Sequence, residues 1–133
     1  MEKWSGSAAI CMNEKKEVLM VRGKDSDLWA VPSGGLEIGE TPEMCCIREV
    51  QEETGYDIEI IHKLFTKETK IKGIHVTTFY FEGKVIGGEI LLNDPDGIIV
   101  EVGWKSLSEI KKLKHAYPED LETISSIVNS VCL

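Results

Sequence analysis

The chain has 133 residues, 42% of them apolar, and its 15 basic against 23 acidic side chains give a formal net charge of −8. This length implies one domain with enough core to fold by itself, and the acidic balance excludes the basic patch with which a general nucleic-acid-binding surface neutralises phosphates. No apolar run approaches the length of a membrane span, and the opening MEKWSGSAAI lacks the basic and apolar regions of a secretory signal, so a cytoplasmic protein without membrane or nucleic-acid-polymer partners is expected.

Residues 7–12 and 18–22 read as strands separated by the charged turn Asn13-Glu14-Lys15-Lys16. Trp29-Ala30-Val31-Pro32 is a short extended segment, because the residue before a proline avoids helical geometry. A glycine-opened stretch follows, GGLEIGETPEMCCIREVQEETGY over residues 34–56, with Gly34, Gly35 and Gly39 expected in a sharply turning loop. Its second half is a helix by its end signals. Thr41 is the N-cap, Pro42 takes the first helical position, Glu43 faces the positive end of the dipole and Gly55 stops the helix. Residues 57–65 alternate apolar and polar, 74–82 are β-branched and aromatic, 93–97 (NDPDG) form a loop and 98–104 are another apolar run. A short helix is expected near residues 106–113. An amphipathic helix is expected over 118–131, with Leu121, Ile124, Ile127 and Val128 at helical spacing. Strands around one central helix with a helix at the end predict an α/β fold, a mixed β-sheet between helical layers, in a single domain over residues 1–133.

Cys11, Cys45, Cys46 and Cys132 show no CxxC spacing, and adjacent Cys45 and Cys46 on a helix pair poorly, so all four are expected to be reduced core or flank residues.

The central helix carries the chemistry. At about 100° per residue, Glu49, Glu52 and Glu53 share one face. Three like charges there repel one another, and a divalent cation would neutralise them; hard carboxylate oxygens suit Mg²⁺ or Mn²⁺. Cys46, Ile47 and Val50 are expected on a buried apolar flank. The plainer reading is a solvated acidic face. Arg48 is either a surface arginine or a planar fork that orients a carboxylate. Glu40 either caps the loop or takes part in the reaction.

Gly34, Glu40, Arg48-Glu49, Val50, Glu52-Glu53 and Gly55 stand at the spacing that resembles the Nudix box of the Nudix (MutT-like) hydrolases, a coincidence rarer than roughly one in 10⁸ per starting position. Tyr56 departs from the family's usual Ile, Leu or Val, and Ser33 stands where many members have Gly. The resemblance extends less specifically to Trp29-Ala30-Val31-Pro32 and to Trp104-Lys105-Ser106-Leu107-Ser108-Glu109-Ile110, a strand-to-helix step. It implies an α/β/α sandwich and a metal-dependent pyrophosphohydrolase acting on nucleoside diphosphates linked to another group, (deoxy)nucleoside triphosphates and oxidised ones included. It further implies Glu49, Glu52 and Glu53 as metal ligands for Mg²⁺ or Mn²⁺, and Arg48, Glu49 and Glu53 as catalytic residues. An acid from a later segment, with Glu101 the candidate, is an alternative proton acceptor. Trp4, Trp29, Phe79, Tyr80 and Tyr117 either stack a base or belong to the core. The expected partner is a small-molecule nucleotide, with the chain a monomer or homodimer. A nucleotide-sensing module that keeps the fold without catalysis remains the alternative, as does a structural acidic surface.

Overall fold

The computed structural model describes residues 2–92 and 94–130. In chain order the elements are β1 (Lys3–Cys11), β2 (Val18–Gly23), β3 (Leu28–Ala30), β4 (Ser33–Gly35), α1 (Pro42–Thr54), β5 (Tyr56–Ile71), β6 (Ile74–Gly88), β7 (Ile99–Lys105), α2 (Leu107–Ile110), β8 (Lys114–His115) and α3 (Asp120–Ser130). Met1, Asn93, Val131, Cys132 and Leu133 lie outside the described residues, and with them one end each of the expected loop and C-terminal helix.

The strands form two mixed four-stranded sheets, β4-β1-β6-β5 and β7-β2-β3-β8, joined where Met12 bridges Val18. In the first, β1 runs antiparallel to β4 and parallel to β6; in the second, β3 runs parallel to β8 and the other pairs are antiparallel. Alternate residues of one strand point to opposite faces, and the packing follows that parity. Ala8 and Ile10 of β1, Val18 and Met20 of β2 and Tyr80 of β6 pack with Ile110 of α2 and with Ile124 and Val128 of α3. Their neighbours Ala9, Cys11, Leu19 and Phe81 pack with Cys46 and Val50 of α1. The helices therefore cover both faces, which gives the expected α/β/α sandwich with its middle layer divided into two sheets.

α1 forms as its end signals predict. The Thr41 hydroxyl accepts from the Met44 N–H at 3.1 Å, and Gly55 takes φ 90° while donating to the Gln51 carbonyl at 2.9 Å. A side chain at Gly55 would meet that left-handed backbone and also the Glu89 carbonyl. The buried flank is Cys45, Cys46, Val50 and Thr54. Ile47, expected on it, is exposed. One residue past Cys46 it is rotated by about 100° away from the sheet, whereas Val50, four residues on, returns to the same side.

Gly34 and Gly35 also differ from expectation. They lie in β4 and pair with Ser7 and Gly6 of β1. The Trp4 indole packs over Gly6 and Gly35, in space that a side chain at either position would need. β5 and β6 run well beyond the segments expected at residues 57–65 and 74–82, because the hairpin ladder continues, with register shifts near Ile58, His62 and Phe65, up to the two-residue turn Lys72-Gly73. The step after Trp104 is as expected: Ser106 caps α2, accepting from the Glu109 N–H at 3.2 Å while Glu109 Oε1 accepts from the Ser106 N–H at 3.0 Å. Cys11, Cys45 and Cys46 are free and buried. Burial pushes the Cys11 thiol up to about 12 and raises Cys45 and Cys46, which leaves them inert packing groups. No helix among the described residues is long and apolar enough to cross a membrane.

Val50 is fully buried between α1 and the sheet. Val50→Ala removes two methyl groups and leaves a void, so urea denaturation is expected to show a loss of about 2–3 kcal/mol with an unchanged slope against urea.

Candidate active site

Arg48 organises the acidic side of α1. Its Nε and Nη2 grip Glu40 at 2.7 and 2.9 Å, the bidentate geometry a guanidinium favours, while Nη1 donates to both oxygens of Glu52 at 3.0 and 3.2 Å and Nη2 also reaches the Gly35 carbonyl at 2.9 Å. Glu40 in turn accepts the Glu37 N–H at 3.0 Å. Arg48 and Glu40 thus lock the loop between β4 and α1. Hydrogen bonding to Arg48 pulls Glu40 down to about 2, and the same bond raises Arg48.

Glu49 and Glu53 sit differently. Both are partly buried, with Glu49 3.4 Å from Arg48 Nη1 and Glu53 Oε1 accepting the Ser33 N–H at 3.1 Å. The Glu49 carboxylate lies in the space above Gly34 that a Cβ would fill. Burial pushes Glu49 up to about 7 and Glu53 up to about 8, and the repulsion of Glu49, of Glu52 and of Asp94 adds to the rise at Glu53. The helix face predicted to hold three equivalent acids is thus divided. Glu52 is neutralised by Arg48, while Glu49 and Glu53 are desolvated and under-compensated.

The profile of the NUDIX domain matches residues 3–126. The chain belongs to the NUDIX family. Among its relatives, "Putative 8-oxo-dGTP diphosphatase" of Bacillus subtilis (strain 168) is 39% identical over 59 residues, 44% of this chain and 40% of that protein. "Putative nudix hydrolase 1" of Caenorhabditis elegans is 32% identical over 118 residues, 81% of this chain and 30% of that protein. The matched part of the chain therefore spans well under half the length of these relatives. A solved "NUDIX hydrolase from Nitrosomonas europaea" superposes with a TM-score of 0.80 at 25% identity, covering 97% of this chain and 90% of that one.

Two features of this NUDIX chain that depart from the usual box have local explanations. The Tyr56 hydroxyl accepts from Trp104 Nε1 at 3.0 Å, with the rings edge to face at 5.6 Å, so the tyrosine ties the end of α1 to β7. Ser33 presents its backbone N–H to Glu53, a bond that needs no glycine.

Glu101, the candidate later acid, pairs with Arg22 at 2.8 Å across β2 and β7. The later carboxylate whose charge reaches both Glu49 and Glu53 is Asp94. Its oxygens accept the backbone N–H groups of Asp96, Ile98 and Ile99 at 3.3, 2.9 and 3.0 Å, which shapes the loop that brings it there. The sequence marks residues 93–97 only as a turn; the aspartate's approach to α1 depends on how β6 and β7 end.

Among the described residues no three carboxylate, imidazole or thiol groups are already drawn together as a cation-binding set. The donor chemistry nevertheless fits a hard divalent cation: Glu49 and Glu53 are paired oxygen donors that burial and mutual repulsion leave short of positive charge.

A cavity of about 180 Å³ opens beside this cluster, lined by Trp4, Ser33, Lys67, Tyr80, Tyr117 and Asp120 among others. A second hollow of about 280 Å³ shares Val31, Ser33 and Tyr117 with it and includes Glu53. Ser33 thus stands between the carboxylates and the cavity. Of the five aromatics singled out, Trp29 and Tyr80 are buried and Phe79 packs against the core, whereas Trp4 and Tyr117 are exposed at the cavity rim.

Glu49 and Glu53 set the pH response. Their folded-state values lie above the usual carboxylate value near 4.5, so their contribution to stability is fully present below that pH and is lost as pH rises through about 7 and about 8. Glu40 acts oppositely, since its contribution is present above 4.5 and lost as pH falls towards about 2. With divalent cations chelated, the urea midpoint is expected to fall between pH 5.5 and 8.5, and addition of Mg²⁺ or Mn²⁺ should restore it most at the upper end.

Proposed function

We propose that the chain is a metal-dependent hydrolase of phosphoanhydride bonds in nucleoside diphosphate-linked small molecules, (deoxy)nucleoside triphosphates and oxidised ones among them. The observation that carries this reading is the desolvated pair Glu49 and Glu53, set over Gly34 and Ser33 at the edge of a cavity. The diphosphatase and nudix hydrolase names of the relatives support the reaction class.

Glu49, Glu52 and Glu53 are the residues that would hold Mg²⁺ or Mn²⁺. When bound, such a cation would polarise phosphoryl oxygens and lower the pKa of water. Glu53 is suited to take the proton of the attacking water, because the Ser33 N–H holds one of its oxygens and leaves the other free. Glu49 is the second acid with a raised value, at about 7. Arg48 acts as a positioning residue, fixing Glu52 and, through Glu40, the loop that carries Gly34 and Gly35 towards the helix. The adjoining cavity then takes the nucleoside end of the substrate, with Trp4 and Tyr117 at its rim.

The deciding experiment measures pyrophosphate and phosphate release from nucleoside triphosphates, nucleotide sugars, ADP-ribose and 8-oxo-dGTP, with Mg²⁺ or Mn²⁺ and with chelator. Cation-dependent turnover is expected; cation-stimulated binding without turnover would instead fit a nucleotide-sensing module. Glu53→Gln should lower kcat by about 10²–10⁴-fold, while the melting temperature of the cation-free chain above pH 8 holds or rises, since there a desolvated charge is removed. Normal turnover in that variant would sink the assignment. Arg48→Ala should weaken the apparent cation affinity by about 10–100-fold, read from the Mg²⁺ dependence of the rate.

A further inference from the structure

β5 is the last strand of its sheet, in the order β4-β1-β6-β5, so one of its edges has no strand beside it. Its first half is broken by register shifts at residues 57–58, 60–62 and 63–65, whereas from Phe65 to Ile71 it is regular. Lys72 and Gly73, with φ 51° and 81°, form the two-residue turn whose left-handed geometry closes on the hydrogen-bonded pair Ile71 and Ile74. Counting back from that pair, Phe65, Lys67 and Thr69 bond to β6, and Thr66, Glu68 and Lys70 turn their N–H and C=O groups outward. Among the described residues no other segment bonds to those groups.

An unpaired, regular edge is a template for another strand, and proteins usually blunt it with a bulge or a charge. Here the bulges stop at Phe65, and the charges beyond it suit a partner of the same sequence. Lys67, Thr69 and Ile71 point to the cavity side of the sheet. Thr66, Glu68 and Lys70 are exposed on the other side. Glu68 has only the His75 ring, at 3.3 Å, as a charged partner in its own copy, and Lys70 has no ion pair among the described residues. Lys67 is matched within its own copy by Glu119 and Asp120, each at 2.9 Å.

Two copies of this strand laid antiparallel about a two-fold axis must set cavity-side residues opposite cavity-side residues, since a slip of one residue would turn every side chain to the wrong face. The axis therefore falls on a residue. On Lys67, Glu68 or Lys70 it sets like charges against each other, on Ile71 it sets Lys70 against Lys72, and on Thr66 it draws in the irregular half. On Thr69 it sets threonine against threonine and Glu68 against the partner's Lys70, twice by symmetry. Glu68 and Lys70 are also outward-bonding residues, so each such pair exchanges two backbone hydrogen bonds.

We propose that this edge is a homodimer interface, in which two chains join β5 to β5 about Thr69 and make one sheet of eight strands, four from each copy. Each copy's Ile71 then lies beside the other's Lys67, so that the partner contributes to the β5 wall of the cavity. The interface goes beyond the hydrolase reading and stands or falls apart from it.

The test is sedimentation equilibrium across the micromolar range on the wild-type chain, Lys70→Glu, Glu68→Lys and the double exchange of Glu68→Lys with Lys70→Glu. The wild type should be a dimer. Each single variant sets like charges at both symmetric contacts and should raise the dimer Kd by about tenfold or more. The double exchange restores opposite charges and should return Kd to within about threefold of the wild type. Thr69→Cys puts the new thiols opposite each other on the axis, so oxidised glutathione should link the copies well above the wild-type background on a non-reducing gel; Thr66→Cys, whose thiols lie at opposite ends of the paired segment, should not. A monomeric wild type overturns the inference, as does a dimer that both single variants leave intact, one that the double exchange fails to restore, or equal cross-linking at the two cysteines. Cation-dependent turnover is measured separately and decides the hydrolase reading whichever way the dimer falls.

Discussion

The arrangement of this molecule depends on one unfavourable interaction, the burial of two carboxylates side by side. Glu49 and Glu53 are raised to about 7 and about 8 because each loses water and faces another acid. Nothing in the helix alone would keep them there; exposed, they would turn to solvent. They stay because α1 is fixed on its opposite flank by Cys46 and Val50 against the sheet, because β4 lies beneath them, and because the Ser33 N–H gives Glu53 one compensating bond. Folding thus maintains a local deficit of positive charge, and a divalent cation is the chemically apt remedy.

Arg48 makes this possible by dividing labour among the acids. A single guanidinium takes Glu40, Glu52 and the Gly35 carbonyl, and so removes two of the negative charges from competition while stiffening the loop into α1. Had Arg48 paired fully with Glu49 instead, that acid would be an ordinary salt-bridge partner. The same loop needs glycine for a steric reason: a side chain at Gly34 would occupy the place of the Glu49 carboxylate. Charge placement and backbone chemistry are here one constraint.

The cavity beside the site follows from the strand parity that builds the core. On β6, Phe81 turns to the α1 face while Tyr80 turns to the α3 face, where its hydroxyl meets Asp120. Phe65 of β5 stacks on Tyr80 at 4.5 Å, and Lys67, two residues on, shares that side of the strand. The cavity walls are therefore long hairpin strands and the start of α3, and Ser33 links them to the hollow that Glu53 lines.

Much of this was legible in the chain itself. The end signals Thr41, Pro42 and Gly55 fix α1, and the spacing of Arg48, Glu49, Glu52 and Glu53 places the acids on one side, because helix geometry is local. Local rules do not say which acid an arginine will choose, so the separation of Glu52 from Glu49 and Glu53 awaited the fold. Nor do they place Ile47 outside the buried flank, bring Gly34 and Gly35 into a strand, set Asp94 rather than Glu101 near the cluster, or join Lys67, Tyr80 and Asp120 across 53 positions of sequence. The sequence by itself determined the helix, its acids and the family to which the chain belongs. The tertiary structure decided which of those acids are desolvated and what stands beside them, because burial and long-range pairing depend on how separate segments pack.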